Sequence, residues 1–213
     1  MLSLDHIVFA SNDVEKASKV YENKFSVKTV KGGNHENWGT YNYLAHFSND
    51  CYIEWLGIHS RTKADKSNNP LIQHLRNTLD AGKQEAFQFA LRTSKLDPFI
   101  YHFERINIPF SGPVQGKRIQ PNGKLLTWRM LFPIYDFSKE TLPFLIEWDQ
   151  PKEERVEQHV ENDQAITTIH FGGTTLEKFM TIYQLKQPLQ AKLSLQNADI
   201  IFNTTDSLQI DFH

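Results

Sequence analysis

The sequence predicts an α+β protein made of two βαβββ modules and a smaller third βαββ unit. Three observations carry that prediction. A strand that runs into a helix and is followed by further strands opens the chain as LDHIVFASNDVEKA and returns as AFQFALRTSKLDPFIYHFERINIPF. Both copies close on a strand with a shared tripeptide, CYIEWLG in the first and FLIEWDQ in the second. Both also set a polar residue in mid-strand at matching places, His6 and Gln88. Repetition within a chain constrains the fold more than any single motif does.

Taken in order, Leu4 to Ala10 reads as a strand that Ser11-Asn12-Asp13 stops. Asn12 as N-cap with Glu15 three residues later makes a capping box, and Val14, Ala17 and Tyr21 then share a helical face. Phe25 to Val30, Tyr41 to Phe47 and Cys51 to Leu56 read as strands, with KGGNHENWG as a loop and Ser48-Asn49-Asp50 as a turn, completing a first module over 1–57. Residues 58–84 form a connector. Within it SRTKADKSNN reads as polar loop and PLIQHLRNTLDAG as a helix bridging the modules, Pro70 at its start and Gly82 past its end.

The second module, 85–150, has the strand AFQFAL, a helix entered through Asp97-Pro98 with Phe99, Phe103 and Ile106 on one side, and strands at LLTWRMLFP and LPFLIEWDQ. KEERVEQHVENDQ reads as a linker with a solvated, charged face. A partial third module over 164–213 opens on ITTIHFGG. There Thr174 and Glu177 suggest a capping box, Leu176, Phe179, Met180 and Tyr183 make a helical face, and ADIIFN and SLQIDF are strands.

With 39% apolar and 12% aromatic residues the chain has ample material for a core at this length. Its 23 Lys and Arg against 25 Asp and Glu give no basic block, which argues against nucleic acid or an anionic membrane as the main ligand. Cys51 cannot close an intrachain disulfide and sits in an apolar strand, so it reads as a small buried hydrophobe. No signal-peptide pattern and no run of ~20 apolar residues is present, so the expected compartment is the cytoplasm.

Aligning the two copies places Phe9 with Leu91, His6 with Gln88, and Glu54 with Glu147. Strand side chains alternate, so Ile53 and Trp55, or Ile146 and Trp148, point away from their glutamate. A carboxylate in an apolar strand is costly unless it is paired, hydrogen-bonded or bound to a cation. If the two sheets face each other, His6, Glu54, Gln88 and Glu147 converge in one cleft. One nitrogen and several oxygen donors suit a divalent ion such as zinc, nickel, manganese or iron(II). Plainer readings stand beside this one: His6 as a core histidine, Gln88 as an amide bonded across the cleft, and the glutamates as partners of Arg129 or a lysine.

The paired units LDHIVF…YIEWLG and AFQFAL…LIEWDQ resemble the two modules of the vicinal oxygen chelate superfamily, and GGNHENWGTYNYL resembles its glyoxalase-like domain proteins. The resemblance covers residues 1 to about 150. It implies eight strands curving around a cleft, with metal ligands on the first and last strand of each module. The His/Glu plus Gln/Glu set is similar to that of glyoxalase I, in which a ligand glutamate moves the proton.

Two classes of function follow. One is a metal-dependent lyase or isomerase acting on a small substrate with vicinal oxygens, with Glu147 or Glu54 carrying the proton. The other is a metal-free protein that binds or sequesters a small molecule. In either case Trp38, Thr40 and Asn42, behind Gly32 and Gly33, are expected to contact the ligand, and Arg129 to meet a carboxylate or a substrate anion. His170 and Asp211 in the third unit have no facing module, which assigns them a structural or homodimer-forming role.

Overall fold

The computed structural model describes residues 1–120, 123–156, 160–186, 192–205 and 208–213. Its first module runs β1 (Ser3–Ala10), α1 (Val14–Phe25), β2 (Val30–His35), β3 (Thr40–Phe47) and β4 (Cys51–Ile58). Its second runs β5 (Ala86–Arg92), α4 (Leu96–Arg105), β6 (Phe110–Ile119), β7 (Leu125–Pro133) and β8 (Phe144–Trp148). Between them lie α2 (Arg61–Asp65) and α3 (Pro70–Asp80). The strand order β2-β3-β4-β1-β5-β8-β7-β6 joins the modules through antiparallel β1 and β5. Each of those strands runs parallel to the last strand of its own module. The sheet curls until its outer strands β2 and β6 approach each other, giving an α+β half-barrel.

Several local expectations shift. Asp13, one residue after Asn12, caps α1 by accepting from the Lys16 amide. In the third unit the cap is Thr175 rather than Thr174. SRTKADKSNN holds the short helix α2, where Arg61 pairs with both Asp65 and Asp80. The GG-containing segment is strand β2, and the turn lies at 36–39. Of the charged linker, 157–159 lie outside the described residues. Around them are α5 (Lys152–Arg155) and β9 (Glu161–Asn162), which pairs with β3. Arg155 and Asn162 are buried here and not solvated.

The two faces of the large sheet have different neighbours. Ile7, Ile53, Phe89, Leu91 and Leu145 belong to one apolar cluster with residues of α1 and α4 and with the third unit. Val8, Ala90, Trp128, Met130, Phe144 and Ile146 form the other, on the concave side, with Leu71, Ile72 and Leu75 of α3. The connecting helix therefore packs into the hollow of the half-barrel. Each of its three apolar side chains stabilises that position by roughly 1.5–3 kcal/mol.

The third unit comprises β10 (Ile166–Phe171), α6 (Leu176–Tyr183), β11 (Lys192–Ser194), β12 (Asp199–Phe202) and β13 (Leu208–Phe212). Its sheet order is β11-β12-β10-β13. β10 is parallel to β12 and antiparallel to β13, so β13 gives β10 the neighbour that β5 gives β1. The three-residue β11 was not anticipated, because a strand so short carries no readable alternation. His170 and Asp211 pair with each other at 2.8 Å across β10 and β13.

Two buried histidines make stability depend on pH. His74 on α3 stacks on Phe137 and meets Phe87 edge-on, and burial lowers its pKa to about 4. Burial, helped by Arg118 and Arg155, lowers that of His46 to about 3. Below the ordinary histidine value the unfolded chain takes up protons that the folded chain refuses, so stability falls as pH drops from there toward the folded-state values. Each histidine accounts for about 1–2 kcal/mol of loss by about pH 5. Thermal melts at about pH 7.5 and about pH 5 should show the loss, and His74→Phe should narrow the gap between them.

Candidate functional site

A bulge in β1 creates the site's centre. The β1–β5 ladder passes from Leu4–Leu91 to His6–Ala90, leaving Asp5 without a place in the pairing. The consecutive side chains of Asp5 and His6 meet, with Asp5 Oδ1 2.7 Å from His6 Nδ1. Asp5 Oδ2 accepts from Trp148 Nε1 at 3.0 Å and from Arg92 at 3.3 Å. Complete burial pushes the Asp5 carboxyl up. The hydrogen bond and charge of His6, with Arg92 and Arg155, outweigh that and hold it below the ordinary carboxylate range.

With Nδ1 held by Asp5, the Nε2 of His6 lies 3.6 Å from Glu54 Oε2. Glu54 Oε1 accepts from Asn42 Nδ2 at 2.5 Å, and Asn42 Oδ1 accepts from the Gly33 amide at 2.7 Å. A Cβ at Gly32 would overlap Asn42 Oδ1, so Gly32 leaves room for this amide, whereas a Cβ at Gly33 would meet nothing within 4 Å. Tyr52, two residues before Glu54 on the same strand face, stacks on His6 with ring centroids 4.5 Å apart.

His6, Glu54 and Asn42 open on a cavity of about 50 Å³. Its walls include Trp38, Tyr52, Trp128, Phe144, Trp148 and, from α3, Leu71 and Ile72. His35 also lines it, and burial holds that imidazole below the ordinary histidine range. Thr40 does not reach the cavity but bonds His35 Nδ1 at 2.9 Å.

The other sequence-derived candidates lie elsewhere. His6 and Gln88 are true counterparts, since the pairs His6–Ala90 and Val8–Gln88 exchange under a shift of 82 residues. Gln88 is nonetheless covered by Pro70 and Leu71 of α3. Its amide nitrogen donates to Leu142 O and the Tyr135 hydroxyl, and its oxygen accepts from the Phe89 amide.

Glu147 needs a correction. Val8 pairs with Glu54, whereas Ala90, the counterpart of Val8, pairs with Phe144. Phe144 thus takes the place of Glu54 in the second module, and the shared IEW is out of register by three residues. An odd offset reverses the face of a strand. Glu147 accordingly points away from the cleft, to the α4 side, where it pairs with Arg129 and accepts from the Leu96 amide at 3.4 Å. Arg129, which also pairs with Asp97, leaves the cleft with it.

These residues do not fit the expected divalent ion. Both ends of Gln88 are engaged, Phe144 has no donor, and Glu147 is on the wrong face, which leaves only His6 and Glu54. Zinc sites draw three or four ligands from protein. Among the described residues no group of three His, Cys, Asp or Glu side chains is placed to hold a metal. Cys51 is buried, and burial pushes its thiol up to about 12.

Comparison with known proteins agrees with this architecture. The sequence matches the glyoxalase-like domain over residues 4–186. The chain belongs to the glyoxalase-like family. Within it the fold is that of the vicinal oxygen chelate superfamily. A hypothetical protein from Staphylococcus aureus superposes with a TM-score of 0.77 at 19% identity, covering 97% of this chain and 88% of that one. Methylmalonyl-CoA epimerase from Mycobacterium tuberculosis superposes with a TM-score of 0.52 at 19% identity, over 72% of this chain and 91% of that one. No curated protein matches the sequence. Among the described residues no helix is long and apolar enough to cross a membrane.

Asp5 gives the site a sharp mutational signature. Asp5→Asn leaves Arg92 and His6 with a neutral partner in a buried setting and should cost about 3–5 kcal/mol in urea denaturation. Glu147→Gln, on a partly exposed pair outside the cleft and with Asp97 still beside Arg129, should cost clearly less, about 1–2 kcal/mol, and leave ligand binding unchanged.

Proposed function

We propose that this glyoxalase-like protein binds a small, planar, oxygen-bearing molecule in the cleft, between the polar groups of the first module and the apolar wall of the second, without a bound metal ion. The replacement of the second module's acidic position by Phe144 carries this reading. It turns a symmetric ligand cage into a one-sided pocket with a polar floor and aromatic walls. Glu54 accepts a hydrogen bond from the ligand, His6 is oriented by Asp5, and Trp38, Trp128 and Trp148 cover the flat faces. Small-molecule sites commonly have this composition of apolar walls with a few placed polar groups.

A second reading is proton transfer by His6 and Glu54 without a cofactor, and the Asp5–His6–Glu54 alignment favours it. The carboxylate fixes the tautomer so that Nε2 faces the cavity, as a general base requires. Solvent-deuterium exchange into a bound C–H acid, abolished by His6→Ala with binding retained, separates catalysis from binding.

Metal analysis of protein purified without chelators should give far less than stoichiometric metal, and added zinc should leave the melting temperature unchanged. Stoichiometric metal lost in His6→Ala would overturn the reading. For a compound found by its shifts of the tryptophan indole N–H resonances, Trp38→Ala should weaken binding several-fold with little loss of melting temperature. A large loss of melting temperature with unchanged affinity would make Trp38 a structural plug.

A further inference from the structure

Among the described residues, Arg118 of β6 borders the cleft without an ion-pair partner. Gly116 pairs with Trp128 and Arg118 with Leu126, so strand alternation puts Arg118 on the face that carries the concave core. A Cβ at Gly116 would overlap the Trp128 indole, so the glycine lets that ring lie across β6 beside Arg118. The arginine side chain borders both the cavity at His6 and Glu54 and the adjoining one lined by His46, Tyr52 and Trp148. Its charge is felt by His46, which it helps to keep neutral.

The neighbouring arginines are all engaged. Arg92 pairs with Asp5 and Asp50, Arg155 pairs with Asp50 and lies 5.3 Å from the Trp148 ring, and Arg129 pairs with Asp97 and Glu147. Arg118 has no carboxylate in ion-pair range among the described residues, and its Nε is buried without a hydrogen-bond partner. Glu54, which lines the first cavity, accepts from Asn42 through Oε1 and keeps Oε2 for a ligand, and Asp50 and Glu161, which line the second, pair with Arg92, Arg155 and Lys152. Burying part of a guanidinium with nothing to compensate it is unfavourable, and a planar oxyanion offers the bidentate match that it lacks.

We propose that Arg118 is an anion subsite of the cleft and that the ligand is a small carboxylic acid with a hydroxyl or N–H group. The carboxylate meets Arg118, the donor meets Glu54, and the body of the ligand lies between the tryptophans. The small cavity limits the body to a short chain or a single ring. This rests on the cleft reading above.

The test uses the full chain and matched acid and amide probes: glycolate with glycolamide, and 2-hydroxybenzoate with 2-hydroxybenzamide. Binding is followed through the indole N–H resonances. At least one acid should bind about tenfold or more tighter than its amide. Arg118→Gln should remove that preference and leave amide affinity unchanged, and Arg118→Lys should keep part of it. Since no internal ion pair is lost, the ligand-free Arg118→Gln protein should melt no lower than the wild type. Equal affinity for acid and amide, or equal weakening of both by Arg118→Gln, overturns the subsite. In those cases, loss of both ligands in Glu54→Gln shows that the cleft reading still stands. Binding of neither member of either pair overturns the subsite and counts against the cleft as the binding place.

Discussion

The buried carboxylate of Asp5 is the constraint around which this molecule is arranged. It is wholly excluded from solvent, and a charge in that position survives only with partners on several sides. Those partners come from across the chain: His6 beside it on β1, Arg92 on β5, Trp148 on β8 and Arg155 on α5. Asp50, in the turn between β3 and β4, then neutralises the second charge of the two arginines. Both modules and the segment leading to the third unit are thereby tied to one point. The point adjoins the imidazole that faces the cleft, so the electrostatics that hold the fold together also orient the site.

A second theme is symmetry kept in the backbone and abandoned in the side chains. The β1–β5 pairing is symmetric about a point between His6–Ala90 and Val8–Gln88, as expected for a duplicated unit. The two halves of the cleft nonetheless differ. In the first half Glu54 and His6 face open space. In the second, Gln88 is internally bonded beneath α3, and Phe144 gives the same cavity an apolar wall. The connector meets both halves differently: Pro70 and Leu71 of α3 cover Gln88, while Leu71 and Ile72 form one wall of the open cavity.

The duplicated architecture was legible in the sequence because strand periodicity and internal repetition both survive in it. The convergence of His6 and Glu54 was legible for the same reason. Glu147 was misread because a shared tripeptide is not a shared register, and only the pairing partners of β5 and β1 reveal the three-residue offset. Asp5 drew no role, because simple alternation points it away from His6 and the bulge that reunites them leaves no mark in the sequence. Tyr52 could have been found from its spacing of two from Glu54. Arg118 was missed because its strand, FSGPVQGKRI, contains a proline and two glycines and does not read as β.

The third unit reaches the start of β1 through one turn. Beyond the stretch that β4 accompanies, the Asn197 side chain presents its amide to Leu4 as a strand would, accepting from Leu4 N at 2.8 Å and donating to Leu4 O at 3.0 Å. The Gln196 amide donates to Leu2 O, and Asn49 exchanges hydrogen bonds with Asn197. The residue held in this way immediately precedes the bulge at Asp5. A chain cut before the third unit would therefore not be a simpler version of the same pocket. It would leave the last backbone groups ahead of the bulge unpaired and would uncover Phe47 and Phe89. The third unit acts as a brace, its Asn197 holding the backbone two residues ahead of His6.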